Sequence, residues 1–189
     1  MDNLNNMWNK LSKISETSSR STEQAKYIPK LESLVEAPLP DDFKQFLLKV
    51  GWYETVPPDS LDRCYVIKLP KPKGGRESIA LDCSLTIEGM IESCDEWGRS
   101  LPPKSILIEE TGDGSNIFMS MVSGSIGEIY FMERDHYMDS GEFDDYEFEE
   151  EACDAFDPKN GVVPNIFSKL ADSFYDFIMV VELDDGEEN

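Results

Sequence analysis

The stretch ILIEETGDGSNIFMSMVSGSIGEIYFMERDH, residues 106–136, decides how this chain folds. With Ser105 before it, the stretch gives three short apolar runs, SILIEE (105–110), NIFMSMV (116–122) and EIYFME (128–133), separated by turns rich in Gly, Ser and Asp. Runs of this length with such punctuation read as strands of an antiparallel meander. The SGSIG connection (123–127) is short enough to make the last two a hairpin. Alternation then puts Ile117, Met119 and Met121 on one face with Ile129 and Phe131, and Phe118, Tyr130 and Met132 on the other. Both faces carry large apolar groups, so helices are expected over one, and the other must be covered or must bind something.

Outward from this hairpin, CYVIKL (64–69) and SIALDC (78–83) read as further strands. LPDDFKQFLLKVG (39–51) reads as a helix. Asp41 and Asp42 suit its N-terminal dipole, Phe43, Phe46, Leu47 and Val50 form one stripe, and Gly51 stops it. Residues 22–36 predict another helix, carrying Tyr27, Leu31, Leu34 and Val35 inward, with Pro29 perturbing its first half. At the N-terminus, Leu4, Met7, Trp8, Leu11 and Ile14 recur at helical spacing. In PNIFSKLADSFYDFIMVVEL, Phe167, Leu170, Phe174, Phe177, Ile178 and Val181 share that spacing, and Pro164 suits a first turn. A C-terminal helix over this stretch, packed on the sheet, is expected.

Composition bounds the function. The chain has 189 residues, 40% of them hydrophobic, enough for one core and thin for two domains. Its net charge of −22 repels nucleic acid and anionic membranes and favours basic partners. The first residues, MDNLNNMWNKLSKIS, lack the apolar run of a secretory leader, so a cytoplasmic location is expected. Cys64, Cys83, Cys94 and Cys153 are widely spaced, with His136 the single histidine, so reduced thiols are expected rather than a metal site. That histidine has no nucleophile signature beside it, and neither ETGDGSN nor DDYEFEEE has calcium-loop spacing. No catalytic residue, metal or cofactor is assigned. The basic cluster Lys68, Lys71, Lys73 and Arg76 reads as a solvated hairpin tip. Trp52, Tyr53 and Trp97 suit a core or a dimer contact equally, which leaves a homo-oligomer open.

The remaining charge is concentrated. GEFDDYEFEEEACDAFD (141–157) has nine carboxylates, four aromatics and no base, and ELDDGEEN adds five more acids. Dense like charges repel, but disordered acidic tails are usually poor in aromatics.

Three blocks resemble the SUKH superfamily of Smi-type and Knr-type proteins. LPDDFKQFLLKVG is similar to its opening helix, ILIEETGDGSNIFMSMVSGSIGEIYFMERDH to its central strand-loop-hairpin, and LADSFYDFI to its closing helix. They occur in the family's order between residues 39 and 178. This chain departs from the pattern in its less Gly-rich loop, in Met132, and in the long acidic insertion. The resemblance implies an α+β fold, a twisted antiparallel sheet with helices packed on it. Residues 1–20 would be a helix outside the match, 21–181 one domain with the acidic insertion 138–163, and 182–189 an acidic tail.

The resemblance also implies a non-enzymatic protein. Bacterial relatives are typically immunity proteins that neutralise toxin domains, and fungal relatives act as regulatory scaffolds. Nuclease toxins grip nucleic acid with a positive cleft, so a concentrated negative surface suits a basic toxin domain bound one-to-one. Tyr146 and Phe148 would anchor it, while Asp144, Asp145, Glu147, Glu149, Glu150 and Glu151 pair with its Lys and Arg. The competing reading packs these aromatics back onto the sheet and leaves the acids as a solvated loop. A scaffold with several endogenous partners, and a carboxylate-based or metal-dependent hydrolase, are rivals from other classes.

Overall fold

The computed structural model describes residues 5–7, 9–10, 15–17, 25–49, 53–55, 64–73, 76–81, 85–96, 101–111, 114–133 and 145–184. Its centre is a four-stranded antiparallel sheet of β5 (Ser105–Glu110), β6 (Asn116–Ser120), β7 (Ile129–Met132) and β8 (Phe167–Ala171), in that order. Ile117 pairs with Phe131 and Phe118 with Tyr130, the register that alternation predicts. A three-stranded sheet places β3 (Cys64–Lys73) between β4 (Arg76–Ala80) and β9 (Glu182–Asp184), and β3 lies against β8. A separate antiparallel pair joins β1 (Ser15–Thr17) to β2 (Tyr53–Thr55). Among the described residues, the antiparallel strands are thus divided among three hydrogen-bonded sheets.

The hairpin turn is built on glycine for two reasons. Gly124 and Gly127 have φ of +101° and +90°, a region that L side chains rarely enter. A Cβ on Gly127 would also stand 3.1 Å from Pro40 Cγ, and one on Gly124 would stand 3.0 Å from Lys159 Cγ.

Helices cover the face that carries Ile117, Met119, Met121, Ile129 and Phe131. They are α1 (Ile28–Leu34, after a 3-10 turn at Ala25–Tyr27), α2 (Asp41–Lys49), α3 (Ile87–Glu96) and α5 (Phe174–Met179). Phe43, Phe46 and Leu47 of α2 are buried, as their stripe predicts. Phe174 packs with tilted rings against Phe43 and Phe46 at 4.9 and 4.7 Å, and Tyr175 N–H donates to Asp42 Oδ2 at 2.9 Å, so the starts of α5 and α2 are tied together. Met7, in the helical residues 5–7, reaches this core too. Val50, Gly51, Trp52, Trp97 and His136 lie outside the described residues.

Leu34, expected inward, is 37% exposed, and three further sequence expectations change. The C-terminal helix is half as long as its periodicity suggests: Phe167–Ala171 is strand β8, and Ser173 caps a helix of six residues. Phe167 is needed in a different layer from Phe174, which no single helix could supply. Glu182–Asp184, expected in the acidic tail, is strand β9 on β3, where the Lys68–Glu182 ion pair (3.0 Å) joins the two. At the N-terminus, the helical residues 5–7 and 9–10 give way to strand at 15–17, so residues 1–20 are not one helix. Helix α3 was not anticipated.

Candidate acidic interface

The second sheet face is covered by the acidic segment itself. Helix α4 (Asp145–Asp154) and the turn after it bring Ala152, Cys153 and Phe156 onto Leu107, Phe118, Tyr130 and Met132, with Ile166 and Phe167. Phe156 is the keystone. Its ring meets Tyr130 edge-on at 5.0 Å, Phe118 at 5.6 Å and Phe167 at 4.9 Å. Edge-to-face pairs at such separations contribute about 0.5–1.5 kcal/mol each beyond area burial.

The chain after the helix is pinned by hydrogen bonds. Asp157 and Val162 exchange backbone bonds of 2.8 and 2.9 Å, and Asp157 caps the 3-10 turn Pro158–Asn160 through Asn160 N–H. Gly161, at φ +77°, closes the turn. The inner side of α4 is therefore fixed by apolar contact and its exit by backbone pairing. Glu150, Glu151 and Asp154 face solvent from the other side.

A charged network borders the aromatic cluster. Tyr130 O–H donates to Glu128 Oε2 at 2.6 Å, and Lys169 Nζ bridges Glu128 Oε1 (2.7 Å) and Asp172 Oδ1 (2.6 Å). Burial, then the Glu128 hydrogen bond and the Glu128 and Asp172 charges, push the Tyr130 phenol well above its ordinary range. Burial alone would depress the Lys169 ammonium, but Asp172 and Glu128 outweigh it and raise it. Tyr130 and Lys169 thus serve as hydrogen-bond donors that tie β7 and β8 to Glu128 and Asp172.

Of the sequence-predicted contact residues, Glu150 and Glu151 are exposed on α4. Asp145, Tyr146, Glu147, Phe148 and Glu149 belong to the same helix by backbone, and Asp144 lies outside the described residues. Among the described residues, no group of three His, Cys, Asp or Glu side chains is arranged to hold a metal ion, and no helix is long and apolar enough to cross a membrane. Cys94 is half-buried and Cys153 buried, and neither is in a disulfide.

What sequence reasoning missed is which residues form the seat: its competing reading packed Tyr146 and Phe148 back onto the sheet, whereas Ala152, Cys153 and Phe156 are the residues found there. The signal was there: Ala152, Cys153 and Phe156 are spaced i, i+1, i+4 inside the charge run, an apolar side on an acidic helix.

Comparison with known proteins gives one family. The SMI1 / KNR4 family (SUKH-1) matches residues 24–179, most of the chain. No curated protein matches it.

Proposed function

This chain belongs to the SMI1 / KNR4 family (SUKH-1), and from that premise we propose that it is an immunity protein that neutralises a basic toxin domain by direct binding, without catalysis. SUKH proteins are known for immunity functions, and immunity implies a protein toxin as partner. The observation that supports the finer reading is the seating of α4. Ala152, Cys153 and Phe156 hold the helix on the sheet, so Glu150, Glu151 and Asp154 form a fixed negative face instead of a solvated loop. Fixed charge matters because it is ordered before the partner arrives and loses less freedom on binding.

A toxin that grips nucleic acid is the partner this face suits. Its positive cleft would be steered towards −22 of net charge, and such steering brings association to about 10⁸–10⁹ M⁻¹s⁻¹ at low salt. Residence needs desolvated contact as well, and Tyr146 and Phe148 are the anchors we assign, with Asp144, Asp145, Glu147, Glu149, Glu150 and Glu151 pairing with toxin Lys and Arg in a one-to-one complex.

The test is capture from the native organism with the tagged protein, washed at low and high salt. One basic toxin fragment surviving high salt supports the reading. Several endogenous partners lost together as salt rises would replace it with a regulatory scaffold. With the fragment in hand, Glu150→Lys with Glu151→Lys should weaken binding at least tenfold through slower association, at unchanged stability. Full affinity in that variant would move the interface elsewhere. Tyr146→Ala with Phe148→Ala should lose affinity per folded molecule; a loss of stability alone would make them core residues.

A further inference from the structure

Beyond α4 the chain changes character: PKNGVVPN (158–165) holds no acid, one base and two adjacent valines. Val162 is 47% and Val163 39% exposed, and the backbone holds them there. Val162 is paired to Asp157 in both directions, Asn160 Nδ2 donates to Asp157 Oδ2 at 2.6 Å, and Gly161 N–H donates to Pro158 O at 3.1 Å. Pro158 and Pro164 fix φ on either side. The valines are thus displayed by a turn that has little freedom left to lose on binding.

A second rigid turn lies against the first. The Lys159 stem rests on Gly124 of the β6–β7 hairpin, where a Cβ would crowd Lys159 Cβ and Cγ at 3.2 and 3.0 Å. Within that hairpin turn Ser120 Oγ and Ser125 Oγ are buried and hydrogen-bonded at 2.8 Å, and Gly127 N–H donates to Ser120 O at 2.9 Å. Ile126, in the same turn, is 44% exposed. One exposed aliphatic side chain needs no explanation, but three β-branched ones on two braced turns make a strip. Its border is acidic: Asp157 opens the first turn, and Asp154, Glu151 and Glu150 are exposed on the helix just before it. An apolar centre with a charged rim is the layout of a protein interface.

Charge selects the occupant. A second copy would bring another −22 against the first, and nucleic acid and anionic membranes are repelled for the same reason. A small ligand is enclosed by its site over about 70–90% of its surface, which a strip this open does not offer. We propose that Ile126, Val162 and Val163 form an apolar part of the partner interface, meeting an aliphatic side chain of a basic protein whose flanking Lys or Arg pair with Glu150, Glu151 and Asp154. The identity of that protein as a toxin rests on the reading above; the strip and its acidic border do not. Desolvated contact of this kind gives the complex the residence that charge alone lacks.

Two capped hexapeptides of equal charge probe the full isotope-labelled chain: one has two leucines between pairs of lysines, the other two serines. The leucine peptide should shift the methyl signals of Ile126, Val162 and Val163 saturably and bind at least about fivefold tighter, the order expected for partly burying large aliphatic side chains. Val162→Thr with Val163→Thr keeps the β-branched shape, so it should melt within about 2 °C of the parent while abolishing that preference and leaving the serine peptide's affinity unchanged. Equal binding of the two peptides, no saturable shift at these methyls, or a preference that survives in the threonine variant would overturn the proposal. Glu150→Lys with Glu151→Lys should weaken both peptides alike. A toxin captured with full affinity by the threonine variant would leave the toxin reading standing and sink this one; a leucine preference with no toxin captured would do the reverse.

Discussion

Phe156 joins the acidic segment to the fold, since the apolar grip of the second layer converges on one ring between Tyr130, Phe118 and Phe167. Phe156→Ala should cost about 3–5 kcal/mol in chemical denaturation, the range for emptying a buried aromatic site. It should also reduce helicity, because α4 loses its seat. A loss under 1 kcal/mol would mean that the helix is held by something other than this cluster. Glu32 works at the same scale on the opposite side of the molecule. Its Oε1 accepts from Lys44 Nζ at 2.9 Å and from Leu39 N–H at 3.1 Å, bracing α1 against α2. Hydrogen bonding to Lys44 holds its carboxyl below the usual range, against the opposing pull of burial, with the Leu39 N–H adding to it. A depressed carboxyl contributes stability above its unfolded pKa of about 4.3, and that contribution is lost as pH falls through the lower folded value. Glu32→Gln should therefore cost about 1 kcal/mol at neutral pH. Denaturation midpoints of parent and variant should converge as the pH is taken below about 4.

Short elements depend on their ends. Helix α5 has six residues, and Ser173 Oγ accepts from Asp176 N–H at 3.0 Å while donating to Asp176 Oδ2 at 2.6 Å. Ser173→Ala should lower stability by about 1 kcal/mol in a urea titration, the usual loss for an N-cap. The same corner shows where the sequence could be read and where it could not. The β6–β7 hairpin was legible because large apolar residues alternate on both faces, and the register pairs Ile117 with Phe131 and Phe118 with Tyr130. Helix α2 was legible from its acids and stripe. Strand β8 was not, because Phe167, Leu170 and Phe174 happen to recur at helical spacing, and only tertiary packing sends Phe167 and Phe174 to different layers. Helix α3 was readable in principle: Ile87, Met90, Ile91 and Cys94 follow i, i+3, i+4, i+7, and Thr86 Oγ1 caps Gly89 N–H at 3.1 Å. For the candidate interface, the charge and its aromatics were plain, but the destination of Phe156 depends on a sheet face built by distant residues.

Across the whole molecule, 39 acids against 17 bases set a self-repulsion that the fold withstands rather than uses. Salt shortens the reach of that repulsion to about 10 Å at 0.1 M. Raising it from 10 to about 200 mM should therefore raise the melting temperature by a few degrees, at about 2–4 °C per kcal/mol for a chain of this size. Association with a basic partner should slow over the same range, so stability and recognition answer salt with opposite signs. A melting temperature that falls with salt would show that attractive ion pairs such as Lys169 with Glu128 and Asp172 dominate instead. The two-sided burial of the central sheet has one more consequence, in time rather than in energy. Strand β6 is paired on both edges and buried on both faces, whereas α4 touches the sheet along one side only. Deuterium from solvent should thus enter α4 long before it enters β6 and β7, because opening the outer layer leaves the inner ladder closed. The acidic surface and the hairpin beneath it keep separate clocks.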